Sequence, residues 1–527
     1  MERCCGSNNR NEHDYTVFSR HTHLTLEYHA ESVLPILENA SKGGVLMPKQ
    51  SSAVTNDVAF GFLPTDKKGR IFGFTDLILV QVVVGLSAFG LLTGAYTGSM
   101  LGSSQSFAAT LFGNAFPMFL IAPIILFFAR YGIDTFVGFR SSLGYKGANV
   151  FFFVFLILTL GYIAIALFMA GEALVELAVW LNMPSFFASP GTGTPFFSIS
   201  LFAVTFLITV RGPAAIRKFN LFAVPAFILF LVGLIAIIVF GQHIPALNSL
   251  LPVEPFETNS RSLAIALEIN IGLGFSWLPY LGQYSRLAKN EKHAFKAGFY
   301  SYGVIVSLAA IVAALSTLIA GSLSPASWMM PIAGPYAGLI GLLLLTVANV
   351  GAAIFLMYSQ AVSFKTLYPK KTWLFSMGTT IPTVFLLLSA TFYNAFGSFI
   401  AVISFIMASL GGIIISDYFF VKKQKISLRH LYDTEGNYTY WKGINPSALV
   451  AIAVSILVYW GLYNPLTFNS SNLFLYMSAG IPTYFAALIS YYVSAKYIFK
   501  YEVDQVSNTV DAPAQETATT LISKGEI

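Results

Sequence analysis

Twelve long apolar runs fill the chain, and they constrain its fold more than any other feature of the sequence. A helix needs roughly 20 apolar residues to cross a bilayer, and most of the runs are about that long. Of the 527 residues, 56% are hydrophobic and only 10% are charged, which is typical of a membrane protein. We therefore predict an all-α polytopic membrane protein with 12 transmembrane helices. The predicted runs are Thr75–Thr97, Phe107–Phe128, Asn149–Glu172, Pro195–Val210, Leu221–Gly241, Ser262–Leu281, Ala297–Ser322, Tyr336–Val362, Trp373–Ala390, Phe396–Phe420, Ala448–Leu462 and Leu473–Ala495.

Lys and Arg residues are distributed unequally between the two sides of these runs. The connections after the even-numbered runs are basic, whereas those after the odd-numbered runs contain one basic residue, Arg261. Short loops rich in Lys and Arg stay in the cytoplasm. The sequence therefore predicts cytoplasmic N- and C-termini for a multi-pass protein of the plasma or cytoplasmic membrane.

The remaining bulk features exclude several classes of protein. The net charge of +6 is explained by the Lys and Arg residues in the predicted cytoplasmic connections, so we expect no nucleic acid partner. Cys4 and Cys5 are adjacent in a polar segment and match no metal-ligand spacing. No nucleotide-binding loop and no catalytic triad has a suitable context. We therefore expect no catalytic residue, no metal site and no cofactor, and hence no enzyme. The expected partners are a small-molecule substrate and the lipid bilayer, and no obligate protein partner is expected.

Glycine and proline interrupt the first and sixth runs. The first contains Gly85, Gly90 and Gly94, and the sixth contains the segment Asn270–Pro279. Glycine is common where membrane helices pack closely, and that reading suffices for the first run alone. Interruptions at matching positions of two halves instead indicate an inverted-repeat transporter with its site at the breaks. The first run starts inside and the sixth starts outside, as a five-plus-five inverted repeat requires.

These patterns predict three regions. Residues 1–70 form a disordered cytoplasmic N-terminal tail, residues 71–498 form a twelve-helix transporter domain, and residues 499–527 form a cytoplasmic C-terminal tail. Within the domain, 71–241 is the first repeat, 262–420 is the second, and 445–498 adds helices 11 and 12.

Several segments, in order along the chain, resemble one transporter family. They are Thr93-Gly94, Phe139–Gly147, Pro279–Arg286, Ile415–Val421, Leu431-Tyr432 and Gly443–Pro446. Together they resemble the nucleobase–cation symporter family of purine–cytosine permeases, cytosine permeases and hydantoin transporters. The resemblance implies a secondary active symporter that imports a purine or pyrimidine nucleobase, or a related flat nitrogen heterocycle, by alternating access. It also implies a substrate site between helices 1, 3, 6 and 8.

The resemblance carries substrate roles to particular positions. Tyr162 stands where the family often has tryptophan, and an ordinary packing tyrosine is the alternative. Ala166 replaces a glutamine that bonds the ring in hydantoin transporters, and Ala353 replaces an asparagine that reads the substrate. The family's stacking aromatic of helix 6 falls near Gly274, so Phe275 or Trp277 is expected to take its place. The full candidate set is Ala88, Phe89, Gly90, Tyr162, Ala166, Gly274, Phe275, Ser276, Trp277, Asn349 and Ala353.

The coupling ion is expected to be a proton rather than sodium. The fold's sodium site uses helix 1 carbonyls and helix 8 hydroxyls, which places Ala88, Leu344, Val347 and Ala348 at the matching positions. Val347 and Ala348 carry no hydroxyl, so such a sodium site is weakened. Carboxylates within membrane helices are costly and therefore indicate function. Glu268 lies about three turns before Pro279 and is the candidate proton carrier, with a carboxylate at the watery rim as the alternative; Glu172 and Glu176 are expected at that rim.

Two other functions remain open from the sequence. A carrier of the same fold could transport amino acids or another small solute. A membrane sensor could bind a similar ligand without transporting it, and uptake measurements would separate that function from transport.

Overall fold

The computed structural model describes residues 64–65, 67, 69–85, 88–241, 244–247, 249–368, 371–433 and 435–501. Almost all of the two predicted tails, with Cys4 and Cys5, lies outside these residues, as do Leu86 and Ser87. Within the described part of the chain the regular structure is helical, apart from isolated bridges such as Phe72 with Ala288.

Each predicted apolar run overlaps helical structure, and we number the corresponding spans α1 to α12. They are α1 (Phe74–Gly85 and Ala88–Met100), α2 (Ser103–Ile121 and Ile124–Tyr131), α3 (Tyr145–Trp180), α4 (Pro190–Val210), α5 (Pro213–Phe240), α6 (Asn259–Ser276, Leu278–Tyr280 and Leu281–Ser285), α7 (Glu291–Gly298, Phe299–Ile305 and Val306–Ala320), α8 (Met329–Leu367), α9 (Trp373–Gly378 and Thr383–Leu386), α10 (Phe396–Ile415 and Ser416–Val421), α11 (Pro446–Leu462) and α12 (Gly480–Val493 and Ser494–Ile498). Short helices connect some of them, among them Thr135–Leu143 and Phe474–Met477.

Helix length and composition support a multi-pass membrane protein. Among the described residues, seven helices are long and apolar enough to cross a membrane, or nine if the bent pairs of α1 and α2 each count as one span. The apolar helices Trp373–Leu386 and Pro446–Leu462 are shorter. The multi-pass class predicted from the sequence is therefore confirmed.

The predicted interruptions of α1 and α6 are present. The two halves of α1 are bent by 59°. In α6 the regular helix ends at Ser276, and a single tight turn, Leu278–Tyr280, precedes the last segment. Pro279 lies in that turn, where its missing N–H prevents a continuous helix.

Glycines allow two close helix pairs that are equivalent under the repeat. At Gly94 and Gly98 of α1, a side chain would collide with backbone carbonyls of Ala310 and Ala314 in α7. At Gly274 of α6, an added Cβ would lie 2.8 Å from the Asn114 carbonyl oxygen in α2. Small residues let membrane helices approach in this way. In a five-plus-five repeat, α1 is equivalent to α6 and α2 is equivalent to α7. The pairs α1–α7 and α6–α2 are therefore equivalent, as expected for two five-helix halves.

A buried polar cluster joins the later spans to the rest on the basic side of the molecule. Asp417 pairs with Lys422 at 2.6 Å and accepts hydrogen bonds from Ser142 at 2.8 Å and from Tyr491 of α12 at 2.7 Å. Asn445 donates to the Ser142 carbonyl at 2.7 Å. Because every polar group has a partner, the cluster fixes α10, α12 and the Thr135–Leu143 helix against each other.

Candidate substrate site

Four spans meet around the two helix breaks and bring most of the candidate residues together. The second half of α1 supplies Phe89, α3 supplies Tyr162, and the break of α6 supplies Ser276 and Trp277. Asn349 of α8 completes the group, and all five side chains are fully buried. The structure therefore shows these spans closed around their shared centre.

Aromatic rings dominate this centre. The ring centroid of Tyr162 lies 4.4 Å from that of Phe89 and 6.3 Å from that of Trp277. Tyr162 and Trp277 are inclined by only 28°, so their faces are nearly parallel. A flat ligand between two rings needs contacts of about 3.5 Å on each face, or roughly 7 Å between the outer rings. A small separation of α3 from α6 would make that space.

The edge of this aromatic pair is polar. The Tyr162 hydroxyl donates to the Ser276 hydroxyl at 2.6 Å, which in turn donates to the Leu273 carbonyl at 2.7 Å. The indole N–H of Trp277 is buried and has no hydrogen-bond partner in the structure. The site thus offers one unused donor and one hydroxyl that can exchange partners.

Trp277, rather than Phe275, is the α6 ring nearest to Tyr162. Phe275 stacks on Tyr484 of α12, with centroids 5.6 Å apart, and so faces away from the centre. Gly274 packs against α2 through its missing side chain. Of the two aromatic residues that the sequence left open, only Trp277 is placed to stack with a ligand.

Two aromatic residues that sequence reasoning missed also border the site. Tyr302 stacks on Trp277 with centroids 4.9 Å apart and an angle of 20°. It lies in Phe299–Ile305, a π-helical segment of α7, and such segments are frequent at functional sites. Phe399 of α10 meets the Tyr162 ring edge-on at 5.8 Å. No local sequence signal marks either residue, because both depend on long-range packing.

Asn349 and the neighbouring alanines contribute differently. The Asn349 side-chain oxygen accepts the Ala88 backbone N–H at 3.0 Å, so this amide holds the start of the second half of α1. Its side-chain nitrogen donates to the Leu345 carbonyl at 3.1 Å. Ala166 and Ala353 are fully buried and bring no polar group, and Gly90 is buried in α1.

The α8 positions expected near a coupling cation are apolar. Ala348 packs against Val82, Phe227 and Ala309. Val347 is half-buried, and Leu344 lines a groove of about 170 Å³ between α5 and α8. Thr346 bonds within its own helix, to the Leu342 carbonyl at 2.9 Å. Across the described residues, no cluster of three or more His, Cys, Asp or Glu side chains is placed to hold a metal ion.

The three intramembrane carboxylates lie in different surroundings. Glu268 is fully buried about 12 Å along α6 from Ser276, outside the aromatic centre. Glu172 is half-buried and accepts a hydrogen bond from Ser324 at 2.9 Å, and Glu176 is also half-buried. Glu268 is therefore the one among them that has lost contact with water.

Hydrogen bonds close the centre on both sides. Toward the basic side, Tyr280 of α6 meets Thr159 of α3 at 3.0 Å, and Gln283 donates to Ser363 of α8 at 2.8 Å. Toward the opposite side, Asn270 donates to Thr97 of α1 at 2.8 Å. A ligand in the centre would be enclosed, and either set of bonds must open to release it.

These features together define a class of protein. A multi-pass helical protein with paired breaks in α1 and α6, and an enclosed aromatic centre between them, is a secondary transporter of the five-plus-five inverted-repeat class. The structure of Mhp1, described as a nucleobase-cation-symport-1 family transporter in a closed conformation with bromovinylhydantoin bound, has this fold. It superimposes with a TM-score of 0.66 at 20% identity, over 83% of this chain and 95% of that one.

The family follows from the sequence comparison. Residues 77–498 match the model described as permease for cytosine/purines, uracil, thiamine, allantoin, and the chain belongs to this family. The hydantoin permease of Microbacterium maritypicum is 26% identical over 361 residues, which are 64% of this chain and 72% of that protein. The purine-uracil permease NCS1 of Arabidopsis thaliana is 25% identical over 443 residues, 77% of this chain and 71% of that protein. The predicted family is confirmed, and the relatives are named permeases rather than enzymes.

Proposed function

We propose that this symporter carries a flat, nitrogen-rich heterocycle, held between Tyr162 and Trp277. The substrate class comprises nucleobases and related rings such as hydantoin or allantoin. The observation that carries the proposal is the nearly parallel pair of rings, 6.3 Å apart, at the break of α6. The named substrates of the family and of its relatives support the same class.

Each residue of the centre has a distinct part in binding. Tyr162 and Trp277 stack on the two faces of the ring, and stacking on an aromatic side chain contributes about 1–3 kcal/mol per base. The Trp277 indole N–H, which has no hydrogen-bond partner in the structure, donates to an acceptor on the edge of the substrate ring. Ser276 exchanges its bond with Tyr162 for a second contact to the ring.

Two alanines stand at positions where the family resemblance expects an amide side chain that bonds the substrate. Because these residues are Ala166 in α3 and Ala353 in α8, neither position offers a hydrogen bond to the edge of the substrate ring. Edge recognition then depends on Ser276 and Trp277, because the Asn349 amide already bonds Ala88 and Leu345. We therefore expect a preference for rings with an acceptor, such as a carbonyl oxygen, facing α6, and weak discrimination on the α8 side.

For the coupling ion, the proposal is a proton. Val347 and Ala348 offer no hydroxyl next to α1, and oxygen ligands are what sodium would need there. During transport the two sides of the site open in turn. Opening of the Thr159–Tyr280 and Gln283–Ser363 contacts exposes the site to the basic side, which the charge pattern predicts to be cytoplasmic.

A transport screen tests this proposal. The purified chain is reconstituted in liposomes, and uptake of labelled purines, pyrimidines, hydantoins, allantoin and amino acids is measured. We expect uptake of at least one heterocycle, and none of it with Trp277→Ala. Uptake restricted to amino acids would contradict the substrate class, and binding without uptake would favour a sensor.

A further inference from the structure

Glu268 connects the helix of the substrate site to three later spans. One carboxylate oxygen accepts the backbone N–H groups of Ala479 and Gly480, at 2.8 and 2.9 Å. These groups begin α12, whose N-terminus would otherwise be unsatisfied inside the protein. The other oxygen lies 2.9 Å from the Ser404 hydroxyl of α10 and 3.2 Å from the Tyr459 hydroxyl of α11. Gly480 is needed here, because an added Cβ would lie 2.8 Å from the Ser404 hydroxyl.

The Tyr459 hydroxyl has one proton and two acceptors within reach. It lies 2.8 Å from the Ala401 carbonyl of α10 and 3.2 Å from Glu268. If Glu268 is ionised, Tyr459 donates to the carboxylate. If Glu268 is protonated, its O–H donates to the Tyr459 oxygen, and the tyrosine proton turns to Ala401. The bonds from Ala479, Gly480 and Ser404 are kept in both states.

We infer that Glu268 and Tyr459 form the proton-holding site of this transporter, because both carboxyl oxygens, and the proton when it is present, have a hydrogen-bond partner in either protonation state. The inference rests on the proposed proton symport and deepens it. No bond to the carboxylate needs to break when a proton arrives, apart from the reversal at Tyr459. A buried carboxylate held only by fixed donors would lack this acceptor for its proton.

The surroundings leave Glu268 free to titrate. It has no ion-pair partner among the described residues. Tyr459 of α11 and Tyr463, the residue that follows α11, are the titratable groups that face it. α10 presents the Ser404 hydroxyl and α12 presents backbone N–H groups. The ion pair between Arg261 and Glu257 lies at the start of α6, about 10 Å along that helix.

One span, α10, contacts both Glu268 and the proposed substrate site. Ser404 and Phe399 lie on the same span, α10; Ser404 bonds Glu268, and Phe399 contacts Tyr162. At Gly272, α6 approaches so closely that an added Cβ would lie 2.7 Å from the Ile400 carbonyl of α10. α10 thus contacts both Glu268 and the Tyr162 ring and is closely packed on α6 between them.

The test separates coupling from substrate transport. Liposomes containing the full chain receive the best heterocycle of the screen, with and without an inward proton gradient. With one proton per substrate, a gradient of one pH unit supports about tenfold accumulation in the parent. Glu268→Gln is expected to keep exchange of labelled for unlabelled heterocycle but to accumulate none. Tyr459→Phe is expected to lose most of the accumulation, whereas Tyr463→Phe, at the residue that follows α11, keeps it.

The remaining outcomes are also decisive. Infrared difference spectra of the parent should show a protonated carboxyl group at acidic pH that Glu268→Gln removes. Full accumulation of the heterocycle by Glu268→Gln overturns the inference. If Glu268→Gln does not fold, full accumulation by Tyr459→Phe overturns it instead. A parent that transports heterocycles only with sodium also overturns it. A parent that transports no heterocycle refutes the proposed function instead.

Discussion

Replacing Tyr162 tests whether the aromatic centre binds the ligand. Tyr162→Ala removes one face of the proposed stack, which contributes about 1–3 kcal/mol, so the dissociation constant should rise about 5- to 150-fold. Tyr162→Phe keeps the ring and loses only the bond to Ser276. That bond already has to open for the ligand, so its loss should change affinity by no more than about threefold.

Equilibrium binding of a labelled heterocycle to the detergent-purified chain measures these changes. Phe275→Ala is the matched control, since it also removes an α6 aromatic ring but one that faces Tyr484. It should lower thermal stability and leave affinity unchanged. Equal affinity of Tyr162→Ala and the parent, or a large loss with Phe275→Ala, would refute the placement of the ligand.

Three further predictions concern coupling, topology and stability. Replacing sodium by choline at fixed pH should leave uptake unchanged, because Val347 and Ala348 carry no hydroxyl and the neighbouring Thr346 hydroxyl bonds within its own helix; dependence on sodium contradicts this. After replacement of the two native cysteines, a cysteine at Lys423 should react with an impermeant reagent only in opened cells and one at Ser189 in intact cells, and the reverse pattern would overturn the orientation. Asp417→Ala leaves Lys422 buried without its carboxylate, so it should lower the free energy of unfolding by about 3–5 kcal/mol, which thermal unfolding in detergent measures; an unchanged melting temperature would count against the cluster.

The helical spans and the breaks could be predicted from local sequence because each has a local cause. A run of apolar residues must form a helix in lipid, since its backbone groups have no water to bond. Pro279 interrupts α6 wherever the rest of the chain lies, whereas Gly272 and Gly274, which the sequence also suggested as part of the break, lie within the regular helix. The family resemblance also indicated Tyr162, and the structure places this residue against the break of α6.

The choice of aromatic residue on α6 could not be predicted, because it depends on helix rotation. Successive helical residues differ by about 100°, so Phe275 and Trp277 point to nearly opposite sides. A shift of one residue in alignment therefore exchanges ligand-facing and protein-facing rings. The partners of Glu268 were equally hidden, since Tyr459 and Gly480 lie about two hundred residues further along the chain.

A structure of the purified chain with its best heterocycle bound tests the central claim most directly. The ligand should lie between Tyr162 and Trp277, with the two ring centroids moved from 6.3 Å to roughly 7 Å apart and the Trp277 indole N–H bonded to the ligand. A ligand bound elsewhere, with the two rings still 6.3 Å apart, would contradict it.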